Sequence, residues 1–351
     1  TWKMLVMYGI GGILIWLAIK KQYEPMLLLP IGFGAILVNL PLSIAWEHEG
    51  IPGFLRILYE AGIANELFPI LIFIAVGAMI DFGPLFRNPL MIFFGAAAQF
   101  GIFATMIVAT LLGFDLKTAA SIGIIGAADG PTAIYVANKF ARDYLAPISV
   151  AAYSYMSLVP IIQPPVIRLL TTKQERSIHM PLHEKQSPQW LKILFPILVT
   201  MTSGIVAPIS VPLVGSLMFG NLIRESGVVE RLSQVAQNEL AYLVTLLLGI
   251  SIGGSMSAEK FLNFDTLLIL AMGLVAFIFD TAGGVLFAKL VNMFLPKEKK
   301  INPMIGACGI SAFPMSARVI QKMANDEERG NIILMQAIGA NVSGQLGSII
   351  A

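Results

Sequence analysis

Apolar residues in this chain fall in long blocks, and the polar residues are gathered into the short connections between them. Twelve apolar segments stand out: Met4 to Ile19, Met26 to Leu42, Leu67 to Ile80, Leu90 to Leu112, Ala119 to Val136, Ala146 to Leu170, Leu191 to Ile209, Val211 to Ile223, Leu240 to Ile252, Leu267 to Phe294, Pro303 to Met323 and Ile332 to Ala351. The longest suffice to cross a hydrocarbon core about 30 Å thick. Several others are too short to cross alone and read as half-spans, re-entrant hairpins or helices continued by less apolar turns. The pattern predicts an all-α polytopic membrane protein with about ten to twelve transmembrane segments. The most polar connection, Thr171 to Gln189, carries Lys173, Glu175, Arg176, His179, His183, Glu184 and Lys185 near the middle of the chain. It divides the chain into a first membrane repeat over 1–170, a linker over 171–190 and a second membrane repeat over 191–351.

The two halves align. Setting Pro131 against Pro314 pairs residues 122–141 with 305–324 at seven identities in twenty. Phe33-Gly34 then matches Phe219-Gly220, and Asn65-Glu66-Leu67 matches Asn238-Glu239-Leu240, in the same order. Repeats with interrupted helices at equivalent positions are the mark of a secondary-transporter fold whose binding site lies where the two breaks meet. The repeats are inverted if each half crosses an odd number of times and parallel if even, and the inverted arrangement is the expectation.

The chemistry is concentrated at the breaks. Asp129 stands inside Ile122-Gly-Ile-Ile-Gly-Ala-Ala-Asp129-Gly130-Pro131-Thr132-Ala-Ile-Tyr135. A carboxylate at the bilayer centre costs about 2.5–3.5 kcal/mol to insert and is retained chiefly as an ion or proton site. Gly130 and Pro131 break the helix beside it and free backbone carbonyls. The second break has Ala312 in place of Asp129 and Arg318 in place of Tyr135, preceded by Ser311, Asn302, Pro303 and Gly306. A guanidinium fork suits a planar carboxylate. Ser311, Asn302, Asn341 and the freed carbonyls are oxygens of the kind hard cations such as sodium prefer, whereas His48, His179 and His183 all lie in polar connections and predict no transition-metal site.

Composition agrees with a membrane protein: of 351 residues, 56% are hydrophobic and 13% charged, with a mean hydropathy of +0.79. The net charge of +2 is small and dispersed, so no nucleic-acid partner is expected. The single cysteine, Cys308, excludes an internal disulfide and a cysteine cage. The chain starts at Thr1 and stops at Ala351 within an apolar run, and both ends read as trimmed.

The sequence resembles the β subunits of the sodium-pumping biotin-dependent decarboxylases of the oxaloacetate, methylmalonyl-CoA, glutaconyl-CoA and malonate types. The resemblance runs from Glu24-Pro-Met-Leu-Leu-Leu-Pro-Ile-Gly-Phe-Gly34 through Met79-Ile-Asp81-Phe-Gly-Pro84, Gly95-Ala-Ala-Ala-Gln-Phe-Gly101, Gly126-Ala-Ala-Asp-Gly-Pro-Thr132, Ala151-Ala-Tyr-Ser-Tyr155, Gln163-Pro-Pro165, Gly220-Asn-Leu-Ile-Arg-Glu-Ser-Gly-Val-Val-Glu-Arg231 and Ser311-Ala-Phe-Pro-Met-Ser-Ala-Arg318. It implies a multi-pass subunit of the bacterial cytoplasmic (inner) membrane that decarboxylates carboxybiotin and couples that step to sodium export, with a proton consumed. Implied partners are a biotin-carrier protein or domain, a carboxyltransferase α subunit, a small membrane γ/δ-type subunit, membrane lipid and further copies of the chain in a homo-oligomer. The biotin comes from the carrier, because no lysine here stands in an Ala-Met-Lys-Met context. Carried over by position, the family's intramembrane aspartate falls on Asp129, its functional tyrosine on Tyr155, its serine and arginine on Ser311 and Arg318, and its further polar positions on Asn302, Gly306 and Asn341. The implied roles are sodium binding at Asp129, Ser311, Asn302, Gly306 and Asn341, and carboxybiotin binding and catalysis at Tyr155 and Arg318 with Asp129. The chain is shorter than oxaloacetate-type subunits between Leu40 and Pro69, which favours the acyl-CoA types weakly.

Physical chemistry supplies a route for such a step. Carboxybiotin loses carbon dioxide once its carboxylate leaves water and its ureido nitrogen can be protonated. Arg318 would orient the carboxylate and a phenol such as Tyr155 would relay the proton. Sodium and a proton would compete for Asp129, since burial raises proton affinity and a bound cation lowers it. Structural readings stand beside these: Asp129 as a helix cap, Arg318 snorkelling to headgroups, Tyr155 in an interfacial belt, Asp81 in a turn, and Asp280 as a second buried acid. Arg224, Glu225, Glu230 and Arg231 read as surface ion pairs or a carrier-docking face. Two rival functions remain, a sodium-coupled transporter of organic anions and a non-catalytic membrane anchor.

Overall fold

With so few charges and so many long apolar blocks, the backbone must satisfy its own hydrogen bonds, and helix is the local solution. The computed structural model describes residues 2–41, 43–180 and 187–351 and is almost wholly helical. His183, Glu184 and Lys185 of the polar connection lie outside the described residues. The first half contains α1 (Trp2–Lys21), α2 (Pro25–Val38), a short helix and π-turn over Phe54–Ala64, α3 (Leu67–Met79), α4 (Met91–Leu111), α5 (Leu116–Gly123), α6 (Gly130–Phe140) and α7 (Leu145–Leu170). The second contains α8 (Gln189–Val206), α9 (Val211–Ser226), a short helix and π-turn over 230–240, α10 (Ala241–Ser255), α11 (Phe264–Phe294), a 3-10 stretch over Pro303–Gly309, α12 (Met315–Glu327) and α13 (Leu334–Ile350). The same order of elements thus runs through each half. A two-residue antiparallel pair, β1 (Glu47–His48) with β2 (Ile51–Pro52), closes one loop.

Among the described residues, six helices are long and apolar enough to cross a membrane, or seven if the bent pair Phe54–Ala64 and Leu67–Met79 is one span. The sequence offers more apolar segments than that because α2, α9 and α13 have 14, 16 and 17 residues, and because two segments turn back on themselves.

Helix pairing crosses between the halves. α2 packs along α10, and α9 along α3. Glycine makes both approaches close: Gly34 lies against the α10 backbone at Ile250 and Gly254, and Gly220 against the α3 backbone at Ile74 and Ala78, where a Cβ would collide. With no hydrophobic driving force between helices in lipid, such backbone-to-backbone packing is a main source of association. Amides then lock the ends. Asn39 donates from Nδ2 to the Ala35 and Met256 carbonyls and accepts from Ala258 N, while Asn221 donates to the Gly77 and Ile80 carbonyls. A second group, α4, α7, α11 and α13, surrounds the two segments that turn back.

Those two segments enter from opposite ends of the molecule. The first runs through α5 and its 3-10 extension Ile124–Ala127, breaks at 128–129 and returns through α6. Both its ends lie at one face, where Phe114 meets Tyr144 edge-on, Tyr144 Oη donates to Asp265, and Asn138 and Lys139 reach Glu66. The second runs through Pro303–Gly309 and returns through α12. Its ends lie at the linker face, where Asn302 Nδ2 donates to the Arg176 and Ile178 carbonyls and Arg176 pairs with Glu327 at 2.8 Å. α7 and α11 run from the first face to the second: Lys289, near the end of α11, reaches Glu175 and the Leu170 carbonyl.

Candidate functional site

The tips of the two hairpins meet. At the first, Ala128 adopts a left-handed backbone (φ 52) and Asp129 an extended one (φ −119, ψ 95) before Gly130 and Pro131 start α6. Proline fits that place because the first helical residues need no N–H partner. At the second, the chain leaves its 3-10 turn at Ile310, extended, and re-enters helix after Pro314. Ser311 N donates to the Ala127 carbonyl at 2.9 Å, tying one tip to the other.

Asp129 is 5% exposed and has no cationic partner among the described residues. Its Oδ1 accepts weakly from Thr132 N at 3.4 Å, and its Oδ2 accepts from Thr132 Oγ1 at 2.6 Å and from Gln345 Nε2 at 2.8 Å. The capping role foreseen for it is therefore real, yet a cap alone leaves a buried carboxylate without a counter-charge. Ser311 Oγ donates to the Gly344 carbonyl at 2.9 Å and lies 2.5 Å from Ser348 Oγ. Asn341 Nδ2 donates to the Ile310 carbonyl at 2.7 Å, and its buried Oδ1 has no partner among the described residues. Asn341, Gln345 and Ser348 share one face of α13, spaced i, i+4 and i+7, so a single helix reads both tips. Asp129 and Ser311 line a common cavity of about 170 Å³ with Ala128, Tyr153, Phe313, Gln345 and Thr245. Glu24 and Met79 line it as well, and Met79 ends the helix that leads toward the linker face.

The other predicted site residues are elsewhere. Tyr155 is partly buried, but its Oη donates to the Leu270 carbonyl of α11 at 2.5 Å, and it does not line the cavity. Tyr153, two residues earlier, does: it is 4% exposed, its ring lies against Gly130, and its Oη has no partner among the described residues. Arg318 is exposed on α12, one turn beyond the second tip, with no side-chain hydrogen bond or ion pair among the described residues. Asn302 sits at the far, linker end of the hairpin limb, with Nδ2 spent on linker carbonyls and Oδ1 capping Met304 N. Gly306 faces Gly284 so closely that a side chain on either would run into the other's backbone. Thus Asp129, Ser311 and Asn341 are brought together, and Tyr155, Arg318, Asn302 and Gly306 are not. Asp81 Oδ1 accepts from Gly83 N in a turn, as foreseen. Asp280 Oδ1 accepts from Ile102 N at 3.0 Å where α4 is interrupted at Gln99, and its Oδ2 has no partner among the described residues.

Gln345, Ser348 and Tyr153 were missed from sequence. The signal for the first two was the i, i+4, i+7 polar stripe that continues from Asn341. Among the described residues no group of three or more His, Cys, Asp or Glu side chains comes together, so the donor set at the tips is carboxylate, hydroxyl, amide and carbonyl oxygen. Such donors fit a hard monovalent cation carried as cargo.

Residues 3–351 match the family described as Na+-transporting oxaloacetate decarboxylase beta subunit. The chain is 49% identical over 351 residues to the glutaconyl-CoA decarboxylase subunit beta of Acidaminococcus fermentans, covering 100% of this chain and 92% of that protein. It is 49% identical over 346 residues to the methylmalonyl-CoA decarboxylase subunit beta of Veillonella parvula, covering 99% and 90%. It is 44% identical over 404 aligned positions to the oxaloacetate decarboxylase beta chain 2 of Salmonella typhimurium, covering 99% and 93%.

Proposed function

The chain belongs to the family of Na+-transporting oxaloacetate decarboxylase beta subunits, and from that premise we propose that it decarboxylates carboxybiotin brought by a biotin carrier and exports sodium in exchange for a proton. It is a multi-pass membrane subunit of a decarboxylase. The observation that carries the finer reading is the meeting of two oppositely entering hairpins at a buried carboxylate with no counter-charge among the described residues. Sodium would be held by Asp129, Ser311 and the free Asn341 Oδ1, with Gln345 and Ser348 orienting the first two.

In the chemical step the bond between the ureido nitrogen and the carboxyl carbon breaks, carbon dioxide leaves, and the nitrogen takes up a proton. Removing the carboxylate from water favours the break. Arg318, exposed one turn beyond the second tip and without a side-chain bond among the described residues, would meet that carboxylate. A cavity of about 170 Å³ is small for a biotin ring system, so the carboxylated end docks at the mouth and only the ion reaches the tips. Asn302, Gly306 and Tyr155 shape the scaffold: Asn302 anchors the second hairpin to the linker, Gly306 admits it against α11, and Tyr155 braces α7 on α11.

The recurring order of elements supports two inverted repeats over 1–170 and 191–351, if the short helices α2, α3, α9 and α13 are counted as crossings so that each half crosses five times besides its hairpin. Basic residues support a cytoplasmic linker face: Arg168, Lys173, Arg176, Lys192, Arg224, Lys289, Lys299, Lys300, Lys322 and Arg329 gather toward that side, against Lys117, Lys139, Arg142 and Lys260 opposite. On this reading the membrane is the bacterial inner one, and the carrier, a carboxyltransferase α subunit, a small γ/δ-type subunit and further copies of the chain assemble with it. The test is reconstitution in vesicles with carboxybiotin on its carrier, following carbon dioxide and sodium together. Carbon dioxide release matched by sodium transport supports the reading. Sodium-driven uptake of a free carboxylate without decarboxylation would replace it with a secondary transporter.

A further inference from the structure

Glu24 is an acid that the mechanism above does not use. It lies between α1 and α2 as the residue that caps α2, and its backbone is left-handed (φ 36, ψ 61), a conformation that costs a non-glycine residue energy and persists where the surroundings impose it. Glu24 lines the same cavity as Asp129. Among the described residues Glu24 makes no side-chain hydrogen bond or ion pair of its own. Burial lifts its carboxyl above the usual range, and the charge of Arg318 pulls it back down. The same cavity is lined by Tyr153, whose ring lies against Gly130 beside Asp129 and whose buried hydroxyl has no partner among the described residues. Around these oxygens the walls are apolar, formed by Leu27, Phe73 and Val76.

A phenol and a carboxylate without side-chain partners among the described residues, both lining a largely apolar cavity that a second carboxylate shares, are costly unless something comes to pair with them. We propose that Glu24 and Tyr153 form, with Asp129, a file of oxygens for a monovalent alkali cation, Glu24 drawing the ion into the mouth and Tyr153 Oη passing it to Asp129. This rests on the reading of Asp129 as a sodium site and adds its entry route. Low-dielectric walls focus the field of Glu24 along the passage and raise the local cation concentration. A carboxylate at the mouth also balances Arg318, which would otherwise repel the ion that the site must admit.

The test measures sodium binding without any carboxybiotin. The full chain in detergent is heated at fixed ionic strength, choline replacing sodium, and the sodium concentration giving half of the maximal thermal protection is read. Glu24→Gln is expected to need about tenfold more sodium, as loss of a focusing charge implies. Glu24→Asp, which keeps the charge, is expected to stay near the native value, and Tyr153→Phe to fall between. Protection is lost altogether in Asp129→Asn. If Glu24→Gln and Tyr153→Phe match the native chain while Asp129→Asn loses protection, the entry route is wrong and the Asp129 site stands. If Glu24→Asp shifts as far as Glu24→Gln, charge is not the cause and the proposal falls. If Glu24→Gln shifts and Asp129→Asn binds as the native chain does, the entry route stands and the Asp129 site falls.

Discussion

The two hairpins share a plan and differ in what they put at the tip. Each has a limb ending in a 3-10 turn, a break, and a helix begun next to proline, and each is gripped by a polar side chain from a crossing helix. Gln99 of α4 donates to the Gly309 carbonyl of the second, and Asp280 of α11 presses on Gly126 of the first. The first then ends in a carboxylate, Asp129, and the second in a hydroxyl, Ser311, with a guanidinium one turn beyond. One plan used twice thus yields two unlike tips, a buried carboxylate on one side and a hydroxyl followed by a guanidinium on the other. The second tip holds its hydroxyl by bonds to α13, and the same helix sends Gln345 to Asp129. α13 therefore couples the unlike tips.

Four substitutions probe that contrast. Removing the charge from the first tip, Asp129→Asn, should lower sodium-stimulated decarboxylation by about 100-fold or more, at least as much as the loss of a group that only supports an ion ligand. Blocking the close approach of the second limb, Gly306→Ala, should cost about 3 kcal/mol, because the added methyl meets the Gly284 backbone and nothing flexible can yield. A lowered melting temperature in detergent would report it, and an unchanged one would show that the limb is free to move away. Taking only the hydroxyl from the second tip, Ser311→Ala, should raise half-saturating sodium about tenfold while leaving the fold intact. Tyr155→Phe, outside the cavity, should cost about 1 kcal/mol of stability through the lost Leu270 bond and leave half-saturating sodium within about twofold. A large change in sodium dependence there would return Tyr155 to the site.

Hydropathy carried the helices, and the alignment of Pro131 with Pro314 located both hairpins, because a proline and a polar residue inside an apolar run leave a local mark. What was not legible depended on which face of a helix meets a neighbour. Tyr153 and Tyr155 are two residues apart, so on a helix they point about 200° apart, and nothing local says which faces the cavity. Asn302 and Asn341 look alike in sequence, yet Asn302 is spent on the linker and Asn341 stands at the tip, a difference set by contacts across more than a hundred residues for the first. Glu24 was visible only as part of a motif, because its left-handed backbone and its aim into the cavity are tertiary facts.

The most direct test of the claim that the two tips form one sodium site is the sodium dependence of carbon dioxide release from carboxybiotin by the reconstituted chain, measured for the native protein, Asp129→Asn and Ser311→Ala. Saturable stimulation is expected in the native chain, none in Asp129→Asn, and stimulation displaced to higher sodium in Ser311→Ala. Full stimulation of Asp129→Asn at native sodium concentrations would contradict it.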